Sequence, residues 1–147
     1  MKKFTFTLQK LMDFREQELD RQKNTLGLLR VELQRIYDET DELRTKIASQ
    51  SAELEELCYN GAQAFEISIR KRYIISLQQE IHAKEQQAAI KQQEIEKQLG
   101  VVVEATKNVR TLEKLEEKQL EEYKAAATKE NESFIEEFVS NASARGS

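Results

Sequence analysis

The 147-residue chain has no proline and no tryptophan, and only four glycines, one cysteine and one histidine. Turns draw on proline and glycine, so a chain this poor in both excludes a loop-rich globule and fits long helices. Cys58 has no second cysteine to pair with, which excludes a disulfide-stapled scaffold and suits a reducing cytosol. The single histidine, His82, falls on an outward heptad position far along the chain from Cys58, so no base stands ready to activate the thiol. A Walker-type glycine loop and a ligand cluster are both lacking, and the sequence is expected to hold no catalytic, cofactor-binding or metal residue. Two paired helices also offer no deep interior in which to keep a substrate from water.

Other absences narrow the setting. The net charge of -4 gives no basic footprint for nucleic acid, and Arg70, Lys71 and Arg72 are too short a cluster to supply one. Lys2 and Lys3 before Phe4 imitate the start of a signal peptide, but Gln9, Lys10 and Asp13 interrupt any apolar core. No stretch is apolar enough for membrane insertion, so a cytoplasmic or peripheral protein is expected.

What is present is periodicity. From Met12, steps of three and four residues reach Arg15, Leu19, Gln22, Leu26, Leu29, Leu33, Ile36, Thr40, Leu43, Ile47, Gln50, Leu54 and Leu57, and ten of these fourteen positions are apolar. A mean spacing of 3.5 residues keeps one stripe of a helix against a partner, so the run reads as a coiled-coil seam, a rod roughly 70 Å long. The pattern stops at Cys58-Tyr59-Asn60-Gly61, where Asn-Gly can end a helix. A second seam runs through Ile67, Arg70, Ile74, Leu77, Ile81, Lys84, Ala88, Lys91, Ile95, Gln98, Val102, Ala105, Val109 and Leu112, again with ten apolar residues.

Two seams of equal length joined by a short corner predict an all-α fold, a long antiparallel two-helix coiled coil folded as a hairpin. The expected organisation is one coiled-coil domain over 1–147, with helix 1 over about 5–57, a corner at 58–66, helix 2 over about 67–139 and a disordered tail at 140–147. Thr5 or Thr7 could cap helix 1, with Phe4, Leu8 and Leu11 at helical spacing and Phe6 off that stripe. A register in which facing residue numbers sum to about 124 sets Ile47 against Leu77, Leu43 against Ile81, and Thr40 against Lys84 in a polar layer; a slip by one heptad remains open. Polar seam residues such as Gln50 and Lys84 predict modest stability without a partner. Gly27 and Gly100 fall at nearly one level on outward positions, either as a soft point or as tolerated exposed glycines.

Leu115, Leu120 and Tyr123 fall opposite Phe4, Phe6 and Leu8 in that register, so the two chain ends are expected to close on each other. Beyond Tyr123 helix 2 continues as an overhang whose apolar stripe, Phe134, Ile135, Phe138 and Val139, has no partner within the chain. Such a stripe is a contact site for another molecule, or else a frayed end that meets neighbours only at high concentration.

Three stretches resemble the FliJ family of flagellar export proteins. They are the opening Lys3-Phe4-Thr5-Phe6-Thr7-Leu8-Gln9-Lys10-Leu11-Met12-Asp13, the interior Arg72-Tyr73-Ile74-Ile75-Ser76-Leu77, and Leu112-Glu113-Lys114-Leu115-Glu116-Glu117-Lys118-Gln119-Leu120-Glu121-Glu122-Tyr123-Lys124. The resemblance covers nearly the whole chain. It implies a non-enzymatic cytoplasmic part of the type III export apparatus serving flagellum biogenesis and motility, held peripherally at the inner face of the cell membrane. The resemblance implies a stalk that binds the hexameric flagellar export ATPase and promotes its assembly or turnover, with the cytoplasmic part of the export gate and export chaperones as further partners. By that similarity, Phe4, Phe6, Leu8, Leu115, Leu120 and Tyr123, with Phe134, Ile135 and Phe138, are candidates for the ATPase end. Tyr37 and Tyr73 are candidates for a gate or chaperone face, or simply shield the edge of the coil; Leu77 lies both in the signature and on the seam. Two other readings stand beside this one: a coiled-coil holdase chaperone, and the equivalent stalk of a virulence type III secretion system.

Overall fold

The computed structural model describes residues 2–146 and contains two helices, α1 (Gln9–Tyr59) and α2 (Ala64–Gly146), with no strand among the described residues. The fold is an all-α helical hairpin.

The corner is tighter than the nine residues expected for it. Gly61 takes φ of +78°, the left-handed conformation that only glycine reaches at little cost. Its amide donates to the Cys58 carbonyl at 3.3 Å, and the Ala62 amide donates to the Leu57 carbonyl at 3.0 Å. These two bonds make a Schellman motif, which satisfies carbonyls left over where α1 ends. Gln63 then supplies the carbonyl that accepts from the Ile67 amide, and Glu66 places a negative charge in the first turn of α2. Helix 2 therefore starts at Ala64 rather than 67.

The described residues form two compact units, residues 22–101 and the residues up to Arg21 with those from Val102 on. In the first unit every seam position from Gln22 to Leu57 and from Ile67 to Gln98 is buried or half-buried. Leu26, Leu33, Ile36, Leu43, Leu77, Ala88 and Ile95 make its apolar core. The helices run antiparallel and keep close to the expected register: Gln98 Nε2 donates to Gln22 Oε1 at 2.7 Å, and Arg70 donates to both Gln50 and Glu53.

Three seam cations of this unit lie where a leucine would suit the core better, and each reaches out to a glutamate on the opposite helix. Lys91 pairs with Glu32 at 2.7 Å, Lys84 with Glu39 at 2.5 Å and Arg70 with Glu53 at 2.7 Å. The long stems cover the seam while the charged ends reach its edge. Thr40 does not complete a polar layer with Lys84 as expected. Its hydroxyl donates instead to the Ile36 carbonyl of its own helix at 2.8 Å, and Lys84 turns to Glu39.

The three glutamates stand at positions 32, 39 and 53 of one heptad series, whose remaining place is Lys46. In this register Lys46 falls at the level of Leu77. A slide of one heptad would bring it to Lys84 in one direction or Arg70 in the other, and would leave one glutamate–cation pair where the native register has three. Like charges brought together oppose the slide, so the charge pattern selects the alignment.

In the second unit Met12, Arg15 and Leu19 are half-buried, while Ala105, Val109 and Leu112 are buried. The start of the chain departs from expectation here. Neither Thr5 nor Thr7 caps α1; the Gln9 amide donates to the Phe6 carbonyl and the Met12 amide to the Leu8 carbonyl, so the helix begins at Gln9 rather than 5. Residues 4–8 alternate, with Phe6 buried, Phe4 and Leu8 half-buried, and Thr5 and Thr7 exposed. These residues precede the helix, with Thr7 and Leu8 in a turn, so their burial does not follow a helical stripe. Phe6 is buried while Leu11 is exposed.

At the other end, residues 140–146 continue α2 where a disordered tail was expected, and Ser147 lies outside the described residues. Ser140-Asn141-Ala142-Ser143-Ala144-Arg145 contains neither proline nor glycine to stop a helix, and Arg145 suits the negative end of its dipole.

Two outcomes follow for stability. An added Cβ at Gly27 or Gly100 meets nothing within 4 Å, so Gly27→Ala and Gly100→Ala should each stabilise by about 1 kcal/mol in urea unfolding, and Gly61→Ala should destabilise by about 1–2 kcal/mol. Lys91 holds the Glu32 carboxyl below the usual carboxylate range, and Lys84 followed by Arg35 does the same for Glu39. Carboxyls depressed in the folded state contribute stability above their unfolded value, about pH 4.3, and lose it as pH falls through the folded value. The melting temperature should therefore drop in that acid window, and a Glu32→Gln/Glu39→Gln variant should show a shallower drop.

Candidate partner-binding surfaces

The two ends of the chain meet within one unit. The Phe4 and Tyr123 rings lie 5.5 Å apart at 52°, a tilted contact that aromatic quadrupoles favour. The Tyr123 hydroxyl donates to the Lys2 carbonyl at 2.5 Å, which ties the non-helical lead-in to α2. Phe6 is buried, and Leu8, Leu115, Leu120 and Tyr123 are half-buried. All six are buried or half-buried. The cluster offers apolar surface and one engaged hydroxyl, with no nucleophile or base to do chemistry.

The overhang is different in kind. Every residue from 128 to 145 is exposed. Phe134 and Phe138 are each 67% exposed, Ile135 52% and Val139 56%. At 3.6 residues per turn these four share an arc of about 140° on α2. Alternation of this stripe with Glu130, Glu132, Glu136 and Glu137 makes an amphipathic helix whose apolar face is open. Burying each of these side chains against a partner would contribute roughly 1.5–3 kcal/mol, which is ample to anchor an interface.

A family model described as Flagellar FliJ protein matches residues 4–147. The chain belongs to the FliJ family. It is accordingly a component of the flagellar export apparatus, and no helix among the described residues is long and apolar enough to cross a membrane. No curated protein and no solved structure matched. Among the described residues no group of three or more His, Cys, Asp or Glu side chains could hold a metal ion.

Within the FliJ-family signature the side chains divide. Tyr73 is 44% exposed, whereas Leu77 is only 3% exposed and belongs to the core, so the signature's leucine serves the seam. Tyr37 is also partly open, at 46%. The register sets Tyr37 opposite residues near 87, about fourteen positions or 21 Å along the axis from Tyr73, so the two tyrosines do not share one site.

Sequence reasoning passed over other exposed apolar residues. Tyr59, Phe65 and Ile69 are open beside the corner, and Phe65, Ile69 and Tyr73 recur at intervals of four along α2. Leu28 and Val31 are open on α1, and Phe14 is exposed with the Arg15 guanidinium 5.9 Å from its ring centre. The usable signal was an apolar residue off the seam, since an outward heptad place gives such a side chain no partner within the hairpin.

Two substitutions separate seam from surface. Leu77→Ala should cost about 2–5 kcal/mol in chemical unfolding, as for other buried leucines, while Tyr73→Ala should stay within about 0.5 kcal/mol. Tyr123→Phe should cost about 1 kcal/mol through the lost bond to Lys2, and should raise amide exchange over residues 2–8.

Proposed function

We propose that this FliJ-family chain is a non-enzymatic stalk that binds the hexameric export ATPase and promotes its assembly or turnover. It acts in the cytoplasm as one coiled-coil domain, docked peripherally at the membrane through the export apparatus. The open apolar stripe of α2, Phe134-Ile135-Phe138-Val139, is the observation that carries the reading. The adjoining cluster of Phe4, Phe6, Leu8, Leu115, Leu120 and Tyr123 completes the ATPase end, braced by the Tyr123–Lys2 bond. Tyr37 and Tyr73 on the corner half supply contacts for the cytoplasmic part of the export gate and for export chaperones.

The mechanism is mechanical and allosteric. A slender helical end can engage the middle of a ring and touch its subunits unequally without supplying a reacting group. For turnover to change, the stalk must bind some ring states more tightly than others; equal affinity for all would shift nothing. Hydrolysis itself belongs to the partner, because this chain has no phosphate-cradling glycine loop.

The decisive measurement compares the full chain with one ending at Tyr123, each mixed with the cognate export ATPase, reading hexamer formation and ATP turnover. The full chain should raise both, and removal of residues 124–147 should abolish most of the increase. A full chain that alters neither would refute the stalk reading.

A further inference from the structure

The overhang carries more information than its apolar stripe alone. On α2, advancing about 100° per residue, Phe134, Phe138, Ile135 and Val139 lie side by side. Glu130 and Glu137 border one edge of that stripe, and Glu132 and Glu136 border the other. Of the two basic residues between 129 and 145, Lys129 lies beyond the Glu132–Glu136 edge on the far face, and Arg145 stands past the end of the phenylalanines. The stripe is thus fenced by carboxylates on both sides along its central two turns.

From this arrangement we infer that the overhang seats as a helix in an apolar groove of a protein partner whose two rims are lined with lysine or arginine. The alternatives fit the charges poorly. A second copy of the same helix would set glutamate edge against glutamate edge in either orientation, and repulsion across a contact opposes pairing. An anionic lipid surface favours helices with lysine and arginine beside the apolar face, the reverse of what is found here. Nucleic acid would meet carboxylates in place of cations. An apolar groove with basic rims buries the phenylalanines and gives each glutamate an opposite charge, so affinity and orientation come from the same few turns.

The inference rests on the proposed function for its partner, the export ATPase ring, and adds the chemistry of the ring surface that receives the helix. The test titrates the full-length chain against that ATPase at about 50 and about 300 mM NaCl, a range over which charge screening tightens markedly. Two full-length variants are compared with the wild type, Phe134→Ser/Phe138→Ser and Glu132→Lys/Glu136→Lys/Glu137→Lys, and circular dichroism checks that each keeps its helix content. The expected result is wild-type binding that weakens with salt, a loss of about a hundredfold or more for the phenylalanine variant, and a loss of about tenfold or more at low salt for the charge reversal. Sedimentation of the chain alone should show no self-association through the overhang.

Binding that survives charge reversal undiminished, or dimerisation that the phenylalanine variant abolishes, would overturn the inference while leaving the stalk reading intact. Absence of any wild-type binding would overturn both.

Discussion

The structure depends on a single constraint: a helix with one apolar stripe cannot leave that stripe in water, and each half of this chain holds the matching cover for the other. Leu26, Leu33, Ile36 and Leu43 on α1 and Leu77, Ala88 and Ile95 on α2 are buried because the corner is short enough to bring the halves together. With so narrow a core, side chains of every seam position contribute, the long polar ones included. Gly61 is small but indispensable to this scheme, since its left-handed backbone turns the chain within a few residues.

A seam of leucines alone would bury more apolar surface but would leave the alignment poorly specified. The cations at Arg70, Lys84 and Lys91 give up some core and gain partners on the other helix. Exposed ion pairs contribute little net stability, so their main effect is to choose among registers. Lys46 enforces the choice from the other side, by being the wrong charge for both neighbouring alignments. The result places apolar and charged surface at defined levels of the hairpin.

Open apolar surface gathers where the pairing rule lapses. The non-helical lead-in from Lys2 to Leu8 is held to α2 by Tyr123, and α2 then continues past its partner with Phe134, Ile135, Phe138 and Val139 open. These residues would cost solubility in an isolated protein, and the surrounding glutamates limit that cost while narrowing the choice of partner.

Much of this was legible in the residues. Spacing of three and four gave both seams, Asn60-Gly61 gave the corner, and the surplus length of the second half gave the overhang and its phenylalanines. The Phe-Thr-Phe-Thr-Leu alternation was equally visible, yet a helical period was read through it, so Phe6 was set off the stripe when it is the buried residue of the three. Sequence alone determines which side chains must be covered, because amphipathic periodicity is a property of one chain and one helix. Which glutamate answers which seam cation, whether Leu77 of the family signature is surface or core, and whether the lead-in joins the helix were decided only in the tertiary structure. Those outcomes depend on how far apart two helices lie and on competition among partners distant in the chain, and no local pattern encodes either.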